Sequence, residues 1–497
     1  MSMEHVHIKN SHKEKPQMPL LAFFSDSKKE HLFFKYLDAQ DRAYCAGYLK
    51  DFKAHWLEIS KVTLPSHPKK AVIFFGLGEK KSWTRRHMVL AFRKIVHYAK
   101  VHTSKVLSVC IDDFRLAGLS ADQTCEAFAH NAEIAAYEFT RYREEPKGGW
   151  PHLDRIEYYA KGVSGDAIQK ALDRGQIIGE QVNAARTLSN IPGGDMTPKF
   201  LADSAREQGK KYGFTVTVLG EKEMKKLKMG AILGVSKGSA QEAQLIVMEY
   251  LKGAHGKKPL AFVGKGITFD SGGLNLKPSG ALDEMHMDMS GGAAVIAAMG
   301  AIARLALKVN VVGVIPAVEN MLSGESYRPG DVLYSMSGKT IEVANTDAEG
   351  RVVLSDALTY TKKYSPSLVI DVATLTGACM VALGKYASGV FSRDEKLVST
   401  LRALGEISGD YLWPLPMWEE YEDELKGKVG DLLNANKNRY AGATNGALFL
   451  HQFAKDFPRW AHIDIAPTMT TSQEMFLNNG ARGSGVALLI ELARFEK

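Results

Sequence analysis

Three short stretches of this 497-residue chain gather the side chains that can do chemistry. The first, VGKGITFDSGGLNLKP at 263–278, runs an apolar segment into glycine-rich backbone carrying Lys265, Asp270 and Lys277. Its glycines permit tight turns and close approach of backbone to a ligand. A phosphate-cradling loop is the obvious rival, but the G-x-x-x-x-G-K-[ST] spacing is absent. The second, MHMDMSGGAAV at 285–295, sets Asp288 just before a Gly-Gly helix start, where a carboxylate can cap a helix as readily as bind an ion. His286 is a further candidate ligand; in an extended segment it is one residue out of phase with Asp288, so the two point to opposite faces. The third, NTDAEGR at 345–351, is the most specific. Read as an extended stretch, it projects Asp347, Glu349 and Arg351 from one side, because side chains alternate with period two. The apolar flanks IEVAN and VVLSDAL argue for burial of these charges and against a surface ion-pair cluster.

The elements that must position these residues are legible as alternation. Strand candidates QLIVMEYL, PLAFVGKG, VNVVGVIPAV, PSLVIDVATL and WAHIDIA recur through the second half, with helical runs at 292–305, 352–364 and 484–495 between or after them. That is the pattern of a mostly parallel sheet covered on both faces, whose ligands sit beyond the carboxyl ends of the strands. Residues 20–160 alternate shorter β-rich runs (LLAFF, AVIFFGLG, KVLSVCI, RIEYYA) with helical stretches such as 83–100. The expected fold is therefore α/β with two domains: a smaller N-terminal α/β domain over 1–165, a proline-free linker helix over 166–190, and a C-terminal catalytic domain over 191–497 with a central, mostly parallel sheet flanked by helices. Thr197-Pro198 suits the N-cap and first position of a helix that restarts the chain.

Bulk composition bounds the class without naming a function. Hydrophobic residues at 45% and charged residues at 24% match soluble globular averages and exclude disordered, collagenous and coiled-coil classes. The formal charge of +7 is spread over mixed-sign stretches rather than one basic block, which disfavours nucleic acid as a partner; a stripe assembled by folding stays open as the alternative. Cys45, Cys110, Cys125 and Cys379 lack metal-type spacing and read as reduced, packed thiols. The N-terminal MSMEHVHIKNSHKEK lacks an apolar core, and no apolar run reaches the roughly 18 residues of a membrane span, so a cytoplasmic protein without membrane partners is expected. His5, His7 and His12 read as part of a frayed, solvated tail.

Taken together, VGKGITFDSGG, PAVENM, RPGDV, NTDAEGR, DVATLTGAC, GDLLN and WAHIDIA resemble the leucyl aminopeptidase family, the M17 peptidases, over nearly the whole second half, with YEFTRYR at 137–143 extending the likeness into the first domain. The resemblance implies a two-metal aminopeptidase that removes leucine and similar apolar residues from peptide N-termini through a metal-bridging water. Carried over position by position, it makes Lys265, Asp270, Asp288, Asp347 and Glu349 the ligands of two divalent ions (Zn²⁺ or Mn²⁺, with Co²⁺ or Mg²⁺ as further fits), Asp270 and Glu349 bridging. Lys277 would stabilise the oxyanion, and Arg351 would hold a carbonate ion as general base. The pocket for the N-terminal side chain would be formed by Met285, Thr374, Gly377, Ala466 and Met469. The charges are consistent with this: four clustered carboxylates repel one another unless compensated, two divalent ions compensate them, and Lys265 can ligate once its amine is neutral. The family also implies peptide substrates and a homohexamer built as a dimer of trimers. Residues 193–195 (GGD) and GARGSGVALL near the C-terminus depart from the family pattern, away from every implied ligand. Two readings of other classes remain beside this one: a DNA-binding regulator, and another two-metal hydrolase such as an amidase or phosphatase.

Overall fold

The computed structural model describes residues 3–8, 15–28, 31–102, 105–160, 165–436 and 438–497. The chain divides into two compact units, Met1–Glu180 with Ser472–Asn478, and Gln181–Thr471 with Asn479–Lys497.

The first unit holds strands β1 (Glu4–His7), β2 (Leu20–Phe23), β3 (Ile59–Thr63), β4 (Ala71–Gly76), β5 (Val106–Cys110) and β6 (Arg155–Tyr159), with helices α1 (Ala39–Asp51), α2 (Arg85–His102) and α3 (Ala121–Ala136). The strands pair as two three-stranded sheets, β1-β6-β5 and β2-β4-β3. All six residues of β4 are buried, which is why AVIFFG reads as an unbroken apolar run. In α2 the buried residues Met88, Phe92, Ile95, Val96 and Ala99 recur at helical spacing, and Phe92 packs against Phe128 of α3, ring centroids 4.3 Å apart and planes tilted by 38°. Residues Glu4–His7 are not part of a frayed tail. Glu4–His7 pairs in parallel with Arg155–Tyr158, and both histidines are buried. The His5 ring sits 2.6 Å from the Tyr158 hydroxyl and 3.0 Å from Glu133, contacts from distant sequence that no local polarity reading reveals. His12 lies outside the described residues.

The division between units falls inside α4 (Gly165–Asn190). The second unit then contains α5 (Pro198–Tyr212), capped by the Thr197 side chain accepting from Phe200 N–H, β7 (Thr215–Leu219), α6 (Glu221–Lys226), α7 (Gly230–Ser236), β8 (Gln244–Leu251), β9 (Leu260–Gly264) and β10 (Gly266–Asp270). It continues with α8 (Ser290–Arg304), β11 (Asn310–Asn320), β12 (Val332–Tyr334), β13 (Thr340–Glu342), α9 (Glu349–Thr361), β14 (Leu368–Ala373), α10 (Gly377–Leu383), β15 (Ser388–Phe391) and α11 (Glu395–Ser408). It ends with β16 (Leu412–Pro414), β17 (Leu432–Leu433), α12 (Gly442–Ala454), β18 (Trp460–Asp464) and α13 (Val486–Phe495).

The main sheet runs β16-β15-β18-β14-β9-β11-β8-β7, with β10 pairing along the end of β11. Its centre, β18-β14-β9-β11, is parallel, while β8, β7 and β15 bring antiparallel pairings to the flanks. Alternate strand residues such as Ala261, Val263, Val312, Val314 and Val369 join one apolar core with α7, α9 and α12. Helix α8 covers β9, β11 and β14, packed beside α5 and α13, so the central strands are buried on both faces. A small sheet, β12-β13-β17, stands apart and fixes the segment leading to Asn434. Among the described residues, no helix is long and apolar enough to cross a membrane. All four cysteines are free and buried.

Candidate active site

Four strand ends build the site. β9 stops at Gly264 and the chain resumes as β10 at Gly266, leaving Lys265 at the break. Its backbone is pinned on both sides: N–H donates to Val372 carbonyl at 3.0 Å, and its carbonyl accepts from Gly292 at 2.7 Å. The side-chain nitrogen lies 2.8 Å from Asp288 Oδ2, 2.8 Å from Glu349 Oε1 and 3.0 Å from the Thr374 carbonyl. Gly350 makes this possible, because a Cβ there would stand 2.5 Å from Lys265 Cε and 2.6 Å from Nζ.

Asp270 closes β10. Its Oδ1 accepts from Gly272 N–H at 2.9 Å and from the Asn320 side-chain amide at 2.8 Å, while Oδ2 faces Lys277 Nζ at 2.8 Å. Gly272, at φ +86°, reverses the chain so that Lys277 N–H reaches back to Ser271 carbonyl at 3.0 Å. Lys277 also pairs with Asp347. Asp288 follows a 3-10 turn over Met285–Met287, and the Thr374 hydroxyl donates to its Oδ1 at 2.7 Å.

The NTDAEGR segment brings its charges inward by a different route from the one its spacing suggests. It is not extended: α9 begins at Glu349, so Glu349 and Arg351 occupy a first helical turn, where residues two apart diverge by about 200°. Asp347 precedes the helix, on a loop braced from outside. Asn434 accepts from Ala344 and Asn345 N–H at 2.7 and 3.2 Å and returns its amide to Asn345 carbonyl at 2.7 Å; the Thr346 carbonyl accepts from Asn320 at 3.0 Å and from the Tyr327 hydroxyl at 2.7 Å. Carboxylate oxygens of Asp270, Asp347 and Glu349 thereby converge within 4.8 Å of one another. Arg351 leaves that cluster, donates to Asn434 carbonyl at 3.1 Å and keeps its buried Nε without a hydrogen-bond partner. The segment around His286 is likewise a turn and not a strand, so the face argument for His286 does not apply. His286 is half-buried, its pKa lowered by that burial, and it is outside the carboxylate cluster.

Four buried or half-buried carboxylates with two lysines is an over-charged arrangement, and the protonation balance shows it. Burial, with the repulsion of Asp270 next, pushes Glu349 up to about 8; burial pushes Asp288 up to about 6 against the pull of Lys265, and raises Asp347 as well. Burial also works against both ammonium groups, but the surrounding carboxylates outweigh it and hold Lys265 and Lys277 above the ordinary lysine range. Asp288 Oδ2, Asp347 Oδ1 and Glu349 Oε1 have lysine nitrogens beside them yet no well-directed hydrogen bond, so oxygens that need a cation have only a loosely aimed one.

The five residues of the expected side-chain pocket fall on three segments. Met285 opens the turn before Asp288; Thr374 and Gly377 lead into α10; Ala466 starts a 3-10 turn that ends at Met469. Thr374, Ala466 and Met469 are buried, Met285 is half-buried, and the space before Gly377 is open, since a Cβ there would meet nothing within 4 Å. Met469 packs with Met287 and Ala481. Residues that spacing alone did not single out are Asn320, Asn434 and Asp464, all fully buried polar side chains at or after strand ends. Their only signal was a polar residue closing an apolar strand run.

Comparison with known proteins identifies the family. The catalytic domain of the cytosol aminopeptidase family matches residues 183–490 and its N-terminal domain matches residues 46–146. A probable cytosol aminopeptidase of Chlorobaculum parvum is 41% identical over 461 residues, 90% of this chain and 91% of the relative. One from Syntrophotalea carbinolica is 45% identical over 383 residues, 76% of this chain and 77% of the relative. The solved structure of the bottromycin maturation enzyme BotP in complex with Mn is similar with a TM-score of 0.85 at 29% identity, covering 97% of this chain and 99% of that one. With both domains matched and the carboxylate cluster at the strand ends, the chain belongs to the cytosol aminopeptidase family, the M17 peptidases, and is a peptidase hydrolase.

Proposed function

We propose that this chain is a two-metal aminopeptidase that removes leucine and similar apolar residues from peptide N-termini. The convergence of Asp270, Asp347 and Glu349 within 4.8 Å, beside Asp288 and Lys265, carries the reading. The donor set fits two divalent ions: poorly satisfied buried carboxylate oxygens surround it, and oxygen-rich sites accept Mn²⁺, Co²⁺, Zn²⁺ or Mg²⁺. Manganese in the BotP structure is the parallel among relatives. Asp270, Asp288, Asp347, Glu349 and the neutral amine of Lys265 would hold the ions. Bound there, two divalent ions supply Lewis acidity and an acidified water.

The chain's own residues do the rest. Attack on the scissile carbonyl places negative charge on its oxygen, and Lys277, whose ammonium lies beside Asp270 and Asp347, would be the donor available to it. Lys277 currently pairs with Asp270 and Asp347, so neutralising those carboxylates frees it for substrate. Arg351 presents a buried Nε without a hydrogen-bond partner, which suits a planar anion; it would hold a carbonate ion, which would supply a general base. Thr374 fixes Asp288, beside which the substrate's α-amine would sit, and the pocket of Met285, Thr374, Gly377, Ala466 and Met469 receives the first side chain, methionine sulfur adapting to leucine-sized groups. The proposal extends to a homohexameric assembly, as the family resemblance implies, and to a cytoplasmic setting, supported by the names of the relatives. Hydrolysis of leucine anilide should stop when a chelator strips the protein and return with Mn²⁺, Co²⁺ or Zn²⁺; full activity in stripped protein contradicts the proposal.

A further inference from the structure

We infer that Asp464 is a positioning residue that sets the width of the substrate side-chain pocket by tying its two walls to one carboxylate. The inference rests on the pocket assignment above. Asp464 is the last residue of β18, fully buried, in register with Ala373 of β14 and Gly389 of β15. It is not among the carboxylates that converge on the ion site. Its Oδ1 accepts from Leu375 N–H at 3.0 Å and from Ala466 N–H at 3.1 Å, and its Oδ2 accepts from the Thr376 hydroxyl at 2.7 Å. Leu375 and Thr376 join Thr374 to Gly377, which form one wall; Ala466 begins the turn to Met469, which forms the other. A single buried carboxylate therefore bonds across to both.

The same segment faces the ion site from its other side. Thr374 donates its hydroxyl to Asp288 Oδ1 at 2.7 Å, and its carbonyl accepts from Lys265 Nζ at 3.0 Å. Thr376 also accepts from Cys379 N–H at 3.1 Å, so the start of α10 hangs on the residue that Asp464 holds. Loss of the carboxylate would leave two backbone N–H groups competing for new partners, and each finds one only by moving its wall. The pocket should then widen or blur while the five proposed ligands keep their own contacts. Asp464 is also one of two negative charges acting on Arg351, the other being Glu349. A neutral isostere therefore separates charge from geometry.

The test is selectivity: kcat/KM on leucinamide divided by kcat/KM on alaninamide, measured with Mn²⁺-loaded protein whose metal content is checked. Asp464→Ala should lower this ratio by about tenfold, since a fitted apolar pocket discriminates by roughly 10–200-fold per methylene and loosened walls surrender that fit. Asp464→Asn keeps an acceptor for both N–H groups, so its ratio should stay within about threefold of the parent even if turnover falls equally on both substrates. Thr376→Val, which removes one tie and leaves Asp464 in place, should shift the ratio in the same direction. An unchanged ratio in Asp464→Ala, or in Thr376→Val where the alanine variant does not fold, overturns the inference, as does an asparagine variant that loses selectivity as fully as alanine. Met469→Ala distinguishes the two layers of the argument. If it also leaves the ratio unchanged, the pocket assignment fails; if it changes the ratio and Asp464→Ala does not, only the role of Asp464 fails.

Discussion

Replacing Gly350 with alanine is a one-methyl perturbation whose effect can be worked from contacts. Gly350 lies in the first turn of α9, where alanine would normally gain about 1 kcal/mol of helix propensity. Here the added Cβ would stand 2.5 Å from Lys265 Cε, 2.6 Å from Nζ and 2.8 Å from Cδ. Ordinary carbon contacts need roughly 3.5–4 Å, so the lysine must retreat by about 1 Å. A free lysine end would do so cheaply, but this one is held at 2.8 Å by Asp288, at 2.8 Å by Glu349 and at 3.0 Å by the Thr374 carbonyl. Overpacking of about 1–3 kcal/mol is partly offset by the propensity gain, leaving a net destabilisation of about 0–2 kcal/mol and a folded protein. Catalysis should suffer more, on the order of a hundredfold in kcat, because displacing the proposed ligand Lys265 by about 1 Å would disturb the reacting geometry. The assay is steady-state hydrolysis of leucine anilide, with bound metal and thermal midpoint measured on the same preparation. Gly47 of α1, where a Cβ meets nothing within 4 Å, supplies the control: Gly47→Ala should be neutral or stabilising and fully active. Parental turnover and metal content in Gly350→Ala would refute the placement of Lys265 against α9 as a functional constraint.

Three further outcomes follow from the same geometry. Lys277→Ala and Arg351→Ala should lower kcat far more than they raise KM, Lys277→Ala the more severely at about 3–4 kcal/mol of barrier; a change in KM alone would remove the assigned role. Leucinamide should be hydrolysed readily and N-acetyl-leucinamide hardly at all, since an acetylated nitrogen is a poor ligand and loses its anchoring beside Asp288; equal rates would favour a general amidase. Away from the site, burial pushes Asp356 up to about 7 although it accepts from Ala231, Ile232 and Met336 N–H. A carboxyl whose folded pKa exceeds its unfolded one contributes stability below the unfolded value that is lost as pH rises through the folded one, so the parent should lose on the order of 2–3 kcal/mol relative to Asp356→Asn between pH 5 and 8, read by denaturant melts; a constant difference would contradict the shift.

The sequence was most informative where one apolar run makes one buried strand. QLIVMEYL, PLAFVGKG, VNVVGVIPAV, PSLVIDVATL and WAHIDIA all form strands of the main sheet, because strands buried on both faces need unbroken apolar residues. The acidic cluster was legible too, in glycine-flanked charges at strand ends. Its geometry was not. Period two put Asp347, Glu349 and Arg351 on one side, a geometry the structure removes, since the helix starts at Glu349 and the loop before it is held by Asn320 and Asn434. Those braces come from 25 or more residues away, and no local pattern announces them. Residues 4–7 failed for a related reason: the polar histidines of β1 are buried only because Tyr158 and Glu133 meet His5 from other elements. Buried polar residues that satisfy distant backbone, Asp464 among them, are the class that sequence reading misses here.

In the proposed mechanism one carboxylate cluster holds two divalent ions, and catalysis depends on both. The most direct measurement titrates chelator-stripped protein with Mn²⁺ and records bound metal per chain and leucine anilide hydrolysis in the same samples, for the parent and for Asp270→Asn and Glu349→Gln. Two ions per chain at saturation, activity that rises with their binding, and loss of both in the two variants are the expected results. Activity in the stripped parent, or saturation without two ions bound, would contradict the mechanism.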